Sequence, residues 1–276
     1  MAEITSITTD GPTVRFEPVG RCIYCGSTQY SNAEIRPLSD EHIVALGLSG
    51  TLILPRASCR KCARETGKIE GSILRTILWA PRTFLKMKTK RPQERPTKFT
   101  SMAKVGDKDV NIDLPIDDHP IMLFFPRLGP PGLLVDRPKD QADMREFWTY
   151  HFNLNPATFA KYGIKNISSA VMDTQRFSQM LAKIAHSYAV ARLGLNAFTP
   201  LLLDHIFRTG GFSPFHFVGG RDVNPSVTHA LHEIGHEEYD HDGKRYLIVR
   251  VRLFAYLGAP DYYVVTGELR PNAPAA

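Results

Sequence analysis

The chain lacks any run of apolar residues long enough to cross a membrane, and its first residues lack the basic start and apolar core of a secretory signal. It also has no internal repeat and no low-complexity tract. Its hydrophobic fraction of 43% and charged fraction of 22% are ordinary for a globular protein. We therefore expect a cytoplasmic protein without membrane contact, with one large domain or two small ones in 276 residues.

Acidic residues are outnumbered by basic ones. The chain has 34 lysines and arginines against 28 aspartates and glutamates, which gives a formal net charge of +6. Such a charge suits a polyanionic partner such as DNA or RNA. An ordinary basic enzyme with a solvated surface has the same charge, so composition alone does not decide between the two.

Cysteine is scarce as well. There are four, and they form two C-x-x-C pairs, Cys22 with Cys25 and Cys59 with Cys62. Four thiolates are the tetrahedral set that a structural zinc ion needs, and without an export signal metal ligation is favoured over disulfide bonds. Zinc would hold the acidic-histidine tripeptide at residues 40–42 on a rigid loop, where a carboxylate beside a histidine can ligate a metal and deprotonate water.

Residue patterns predict the local structure around these cysteines. Between the pairs we expect a strand at residues 40–44, a turn at residues 47–50 and a second strand from Thr51. After the second pair, apolar residues recur at helical spacing from Ile69 until Pro81 ends the helix. Strand, turn, strand and helix together make a ββα unit.

The rest of the chain has one strong helix and several strands. Residues 173–193 carry a helical apolar stripe ended by Gly194, and His186 lies off that stripe and is expected to be exposed. A hairpin is expected at residues 105–112, and the C-terminal residues from Tyr246 onward read as strands. We divide the chain into a zinc-bound module, a basic β-rich connector and an α+β region, at residues 1–80, 81–135 and 136–276.

The cysteine-containing segment resembles the HNH (His-Asn-His) endonucleases over about residues 20–74. The resemblance lies in Cys-x-x-Cys-Gly, then Ser-Asp-Glu-His-Ile-Val, then Gly-x-x-Gly, then Cys-x-x-Cys running into Gly-Lys-Ile-Glu. It implies a treble-clef-like module with structural Zn²⁺, in which His42 is the general base and Glu41 binds a catalytic Mg²⁺ or Mn²⁺. It also places Glu70 as the acidic residue of the helix. The implied enzyme is a hydrolase that cuts phosphodiester bonds, most often in DNA, and a homodimer is an expectation because enzymes that cut both strands often act in pairs.

The sequence departs from the family pattern at three points. The asparagine that usually steadies the loop has no clear counterpart, and Thr51 is the nearest residue. Ala63 stands where an asparagine or histidine completes the metal site, and Ala45 replaces a proline. The divalent metal site therefore depends on Glu41 together with Glu65 or Glu70 from the helix. Ala63 leaves an alternative open, a non-catalytic zinc module that binds nucleic acid or protein.

A basic segment follows the module. Its cations are Lys86, Lys88, Lys90, Arg91, Arg95 and Lys98. The first three alternate, so on a strand they would share one face, and we expect the segment to bind nucleic acid. A solvated edge strand guarded by lysines is the other interpretation.

A second motif indicates different chemistry. His232, Glu233 and His236 satisfy the H-E-x-x-H pattern of zinc metallopeptidases, which requires a helix to bring both histidines to one face. Gly235 weakens a helix, and a hairpin turn is expected at about Asp240. We therefore predict a strand over residues 229–239, on which the two histidines cannot share a metal ion.

The predicted fold class is α+β. A zinc-stapled ββα HNH module precedes an α+β region with one long helix and a C-terminal antiparallel sheet. Metal-dependent cleavage of nucleic acid is the leading function, followed by the non-catalytic zinc module and then by the zinc peptidase.

Overall fold

The computed structural model describes residues 3–7, 11–168, 172–208, 213–221 and 225–271 and has an α+β fold. The strands are β1 Glu3–Ile7, β2 Val14–Arg15, β3 Ser39–His42, β4 Leu52–Ser58, β5 Lys98–Val105, β6 Lys108–Pro115, β7 Ile121–Leu128, β8 Met144–Phe152, β9 Ile164–Ile167, β10 Phe198–Pro200, β11 Val218–Gly220, β12 His232–His241, β13 Lys244–Leu253 and β14 Tyr262–Leu269. The helices are α1 Arg60–Arg75, α2 Trp79–Phe84, α3 Pro156–Tyr162, α4 Thr174–Leu193 and α5 Leu203–Phe207.

Residues 20–75, which we call the cysteine module, contain two paired strands followed by a helix. β3 and β4 pair antiparallel with His42 opposite Ile53, and β2 pairs parallel with β4. The chain between β3 and β4 approaches itself so closely that a Cβ at Gly50 would overlap the carbonyl oxygen of Val44, which requires glycine there. The predicted order of strand, turn, strand and helix is present, while membership of the HNH family remains a prediction.

The helix after the second cysteine pair ends earlier than predicted. α1 stops at Arg75, and Pro81 lies in the separate helix α2. Pro81 is in the first turn of α2, where its missing N–H costs no intrahelical hydrogen bond. The expectation that Pro81 terminates the first helix is therefore wrong.

Helix α4 lies at the centre of the fold. It confirms the helix predicted at residues 173–193, and the Asp173 carboxylate caps it by accepting a hydrogen bond from the Arg176 N–H. It packs against α1, and also against β13 and β14. Every residue from 177 to 190 is buried, so the expectation that His186 is exposed is wrong. A helix enclosed by both the cysteine module and the sheet buries its polar face along with its apolar stripe.

The predicted C-terminal antiparallel sheet is present. Its strand order is β1-β12-β13-β14-β10, and β11 also pairs with β14. The hairpin between β12 and β13 turns at Asp242 and Gly243, both with positive φ. The N-terminal strand β1 joins this sheet by pairing with β12, a contact between the two ends of the chain.

Smaller sheets occupy the middle of the chain. β5 and β6 form the predicted hairpin, with Gly106 at positive φ in the turn, and β9 pairs with β5, while β7 pairs with β8. The basic segment does not form the predicted strand, because residues 86–97 lie in no strand and β5 begins at Lys98. Pro92 and Pro96 lack the N–H donors that a strand ladder needs. The alternating lysines therefore do not share a strand face.

The cysteine module and the C-terminal region share one hydrophobic core. A single cluster of buried side chains runs from Cys22 to Leu269 and takes in residues of α1, α4 and the large sheet. The predicted division at residues 80 and 135 remains a prediction, but the shared core places the C-terminal region in direct contact with the module. Among the described helices, none has the length and apolar character needed to cross a membrane.

Candidate functional site

The four cysteines come together as predicted. Their Sγ atoms all lie within 4.8 Å of one another, and the Sγ atoms of Cys25 and Cys59 are 3.6 Å apart. Cys59 precedes α1 and Cys62 lies in its first turn, so the helix fixes one pair. None of the four cysteines forms a disulfide bond, and a hydrogen bond from Cys62 lowers the pKa of Cys22 to about 4. A cluster of four thiol groups is the donor set of a structural zinc site.

Glu41 and Glu70 also come together, but around a lysine. Glu41 is buried in β3 with 6% exposure, and its Oε1 lies 2.6 Å from the Nζ of Lys183 in α4. The Oε1 of Glu70 in α1 lies 2.8 Å from the same Nζ and forms a second ion pair with it. Lys183 is 1% exposed, and its ammonium also donates to the carbonyl oxygens of His42 and Ile43.

The charges of this cluster depend on one another. Burial opposes the charge on Lys183, but Glu41 and Glu70 together outweigh it and raise its pKa above that of an ordinary lysine. Burial also raises the pKa of Glu41, although the charge of Lys183 opposes that shift. Lys183 therefore stays an ammonium at neutral pH, held between two carboxyl groups.

His42 lies at the end of β3, half-buried, beside this cluster. Within the described part of the chain, neither of its ring nitrogens has a hydrogen-bond partner, and Nδ1 is buried. Burial lowers its pKa, and the positive charges of Lys183 and Lys90 lower it further. The ring is consequently neutral at neutral pH, which is the form that accepts a proton from water.

The third predicted metal ligand lies elsewhere. Glu65 forms an exposed ion pair of 2.7 Å with Lys68. It lies five positions before Glu70 on the helix, so the two side chains point in different directions. Ala63 supplies no ligand atom. Over the residues that the structure covers, the four cysteines form the one group of three or more potential metal ligands. The geometry therefore does not assemble Glu41, Glu65 and Glu70 into a site for Mg²⁺ or Mn²⁺.

The H-E-x-x-H residues lie on a strand, which confirms that prediction. His232 and His236 belong to β12. The Nε2 of His232 lies 2.8 Å from the carbonyl oxygen of Leu48, and its Nδ1 accepts a hydrogen bond of 3.2 Å from the Phe254 N–H. With both ring nitrogens engaged by the main chain, His232 has no lone pair left for a metal ion. The motif therefore lacks the helix that would bring both histidines to one metal ion.

The basic segment contacts the cysteine module, and its six cations differ in availability. The main-chain N–H of Lys88 donates to the Ser49 hydroxyl at 3.1 Å, in the turn before β4. Arg91 pairs with Glu94 at 3.1 Å, and the Arg95 guanidinium donates to main-chain carbonyls. The four lysines of the segment form no ion pair in the portion of the chain described here, and they are Lys86, Lys88, Lys90 and Lys98.

Sequence reasoning missed Lys183, which is the centre of the buried cluster. The available signal was its isolation, because it is the single lysine, arginine, aspartate or glutamate between residues 177 and 190. A lone charge in a helix segment of that length indicates a buried partner of opposite charge. Nothing in the local sequence identifies that partner as Glu41, which is far away along the chain.

Comparison with known proteins gives no relative: no family model, no curated protein and no solved structure matches this chain.

Proposed function

We propose that this chain is an endonuclease of the HNH type that hydrolyses phosphodiester bonds in nucleic acid, with DNA as the expected substrate. His42 acts as the general base that removes a proton from the attacking water. The observation that carries the proposal is the uncommitted imidazole of His42, at the end of β3 in a cysteine-clustered ββα unit. His186 and His232, by contrast, direct a ring nitrogen to a main-chain carbonyl oxygen.

The surroundings of His42 support this role. Lys90 is exposed, and its positive charge contributes to the lowered pKa of His42, so a phosphate that approaches the imidazole would feel a favourable charge. Lys86, Lys88 and Lys98 are the other lysines of residues 86–98 that lack an ion pair among the described residues, and Lys86 and Lys98 are exposed. Phosphate contacts by such side chains bind and position a nucleic acid without reading its sequence.

A second function is favoured by one specific observation. Lys183 fills the space between Glu41 and Glu70, and Ala63 offers no further ligand, so the divalent ion expected from the family has no prepared site. A zinc module that binds nucleic acid without cutting it would have this arrangement. The two proposals share the structural zinc site and the basic surface, and they differ in whether His42 performs chemistry.

A nicking assay separates them. Zinc-loaded wild type, His42→Ala and the control His151→Ala, an exposed histidine of β8, are incubated with supercoiled plasmid, single-stranded DNA and RNA. Each incubation is run with Mg²⁺, with Mn²⁺ and without added divalent ion. We expect wild type and His151→Ala to cleave at equal rates and His42→Ala to lose at least about 100-fold, a typical contribution of a general base.

Zinc content and nucleic-acid affinity of His42→Ala should equal those of wild type. If wild type and His42→Ala are equally inactive on every substrate and with every ion, while both still bind DNA, the nuclease proposal fails. The non-catalytic zinc module is then the better account.

A further inference from the structure

The cation position of the ββα unit is filled by the protein itself. The Nζ of Lys183 lies 2.6 Å from Glu41 and 2.8 Å from Glu70, between the β3–β4 hairpin and α1. The same ammonium donates to the carbonyl oxygen of His42. One cation thus contacts oxygen atoms from both structural parts of the unit.

This arrangement leaves no room for a second cation. A divalent ion between the two carboxylates would lie against the ammonium, and like charges repel strongly away from water. Mg²⁺ also keeps several of its waters in an octahedral shell, whereas Lys183 is 1% exposed and Glu41 is 6% exposed. Lys183 cannot leave easily, because α4 is buried along its centre and fixes the lysine backbone.

We propose that Lys183 is the resident cation of this unit, and that the Glu41–Glu70 pair therefore binds no divalent metal ion in this protein. Part of the consequence rests on the proposed nuclease function: cleavage by His42 then requires no divalent ion at these carboxylates. Lys183 itself is a positioning residue, since it is buried and reaches the main chain of His42 without reaching a substrate.

Direct metal binding tests the proposal independently of cleavage. The zinc-loaded full-length protein is titrated with Mn²⁺, and the free ion is followed by electron paramagnetic resonance. Wild type should bind no Mn²⁺ at these carboxylates, so its titration and that of Glu41→Gln should be the same. Lys183→Ala takes away the ammonium and opens space beside the carboxylates, so it should gain one Mn²⁺ site per chain, at least about tenfold tighter than any site in wild type. Lys183→Ala combined with Glu41→Gln should lose that site.

Two results would overturn the proposal. The first is a wild-type Mn²⁺ site that Glu41→Gln weakens tenfold or more. The second is a folded, zinc-containing Lys183→Ala protein that binds no Mn²⁺, because then the ammonium is not what excludes the ion. If Lys183→Ala does not fold, the wild-type titration with its Glu41→Gln partner still decides the question. If no variant cleaves any substrate, the nuclease proposal fails but these titrations remain informative.

Discussion

Acid should destabilise this protein through His232, whose buried ring joins the C-terminal sheet to the cysteine module. Burial lowers the pKa of His232 to about 4 in the folded protein, whereas a histidine in the unfolded chain has a pKa of about 6.5. The unfolded chain therefore takes up a proton at a higher pH than the folded chain does. The contribution of His232 to stability is full above about pH 6.5 and is lost progressively as the pH falls toward about 4.

The magnitude follows from the difference between the two pKa values. At about pH 5 an unfolded histidine is almost fully protonated, while His232 with a pKa of about 4 is mostly neutral. The linkage relation then gives a loss of about 2 kcal/mol between about pH 7.5 and about pH 5. The structural reason is that protonation of Nδ1 would break the hydrogen bond from the Phe254 N–H and place a positive charge in the core, which the hydrogen bond to Leu48 offsets only in part.

The variant His232→Gln isolates this effect. A glutamine amide can donate to the Leu48 carbonyl oxygen and accept from the Phe254 N–H, but it does not titrate. Urea unfolding of both proteins at about pH 7.5 and about pH 5 gives four free energies of unfolding, from which the pH-dependent difference is taken. Wild type should lose about 2 kcal/mol more than His232→Gln, because other acid effects, including protonation of the zinc thiolates, are common to both. Equal losses in the two proteins would refute the reasoning.

The remaining predictions concern zinc and the basic segment. Protein purified without added metal should contain one zinc ion per chain, and Cys59→Ser should lose it and expose residues 20–75 to proteolysis, as measured by elemental analysis and limited digestion; a disulfide among the cysteines would contradict this. The double change Lys88→Glu and Lys90→Glu should weaken DNA binding and flatten the dependence of log K on log salt by about two units. The same charge change at Lys161 and Lys165, which already pair with aspartates, is the control, and equal affinities for the two double variants would show the basic segment to be only a solvated face.

Local features of the fold were predictable from sequence because their causes are local. The spacing of Cys22, Cys25, Cys59 and Cys62 indicated one cluster, and their Sγ atoms do meet. The apolar periodicity of residues 173–193 and the Asp240 turn were enough to predict α4 and the strand that carries His232. In each case a residue pattern of helical or strand period, or a metal-ligand spacing, acts within a short stretch of chain.

The prediction failed at the basic segment, for reasons within that segment, and at positions where a distant contact decides the outcome. The alternating lysines from Lys86 suggested a strand, but Pro92, Pro96 and the guanidinium of Arg95 bonding back to the carbonyl of Lys86 give that segment another course. His186 appeared exposed because its helix was assumed to have one open face. The predicted divalent metal site was incomplete for the same reason, since the partner of Glu41 comes from α4 and no spacing rule links residues so far apart.

The C-terminal region therefore supplies side chains that hydrogen-bond to the cysteine module. Three side chains from that region reach main-chain carbonyls of the module: Lys183 contacts that of His42, His186 that of Ile23, at 2.8 Å, and His232 that of Leu48, at 2.8 Å. Without α4, Glu41 and Glu70 would be two facing carboxylates with no counter-ion, and burying them in that state is strongly unfavourable. The position of His42 thus depends on residues from the other half of the chain, so a variant in α4 is expected to change the surroundings of His42, and with them the catalytic role proposed for it, without any direct contact to a nucleic acid.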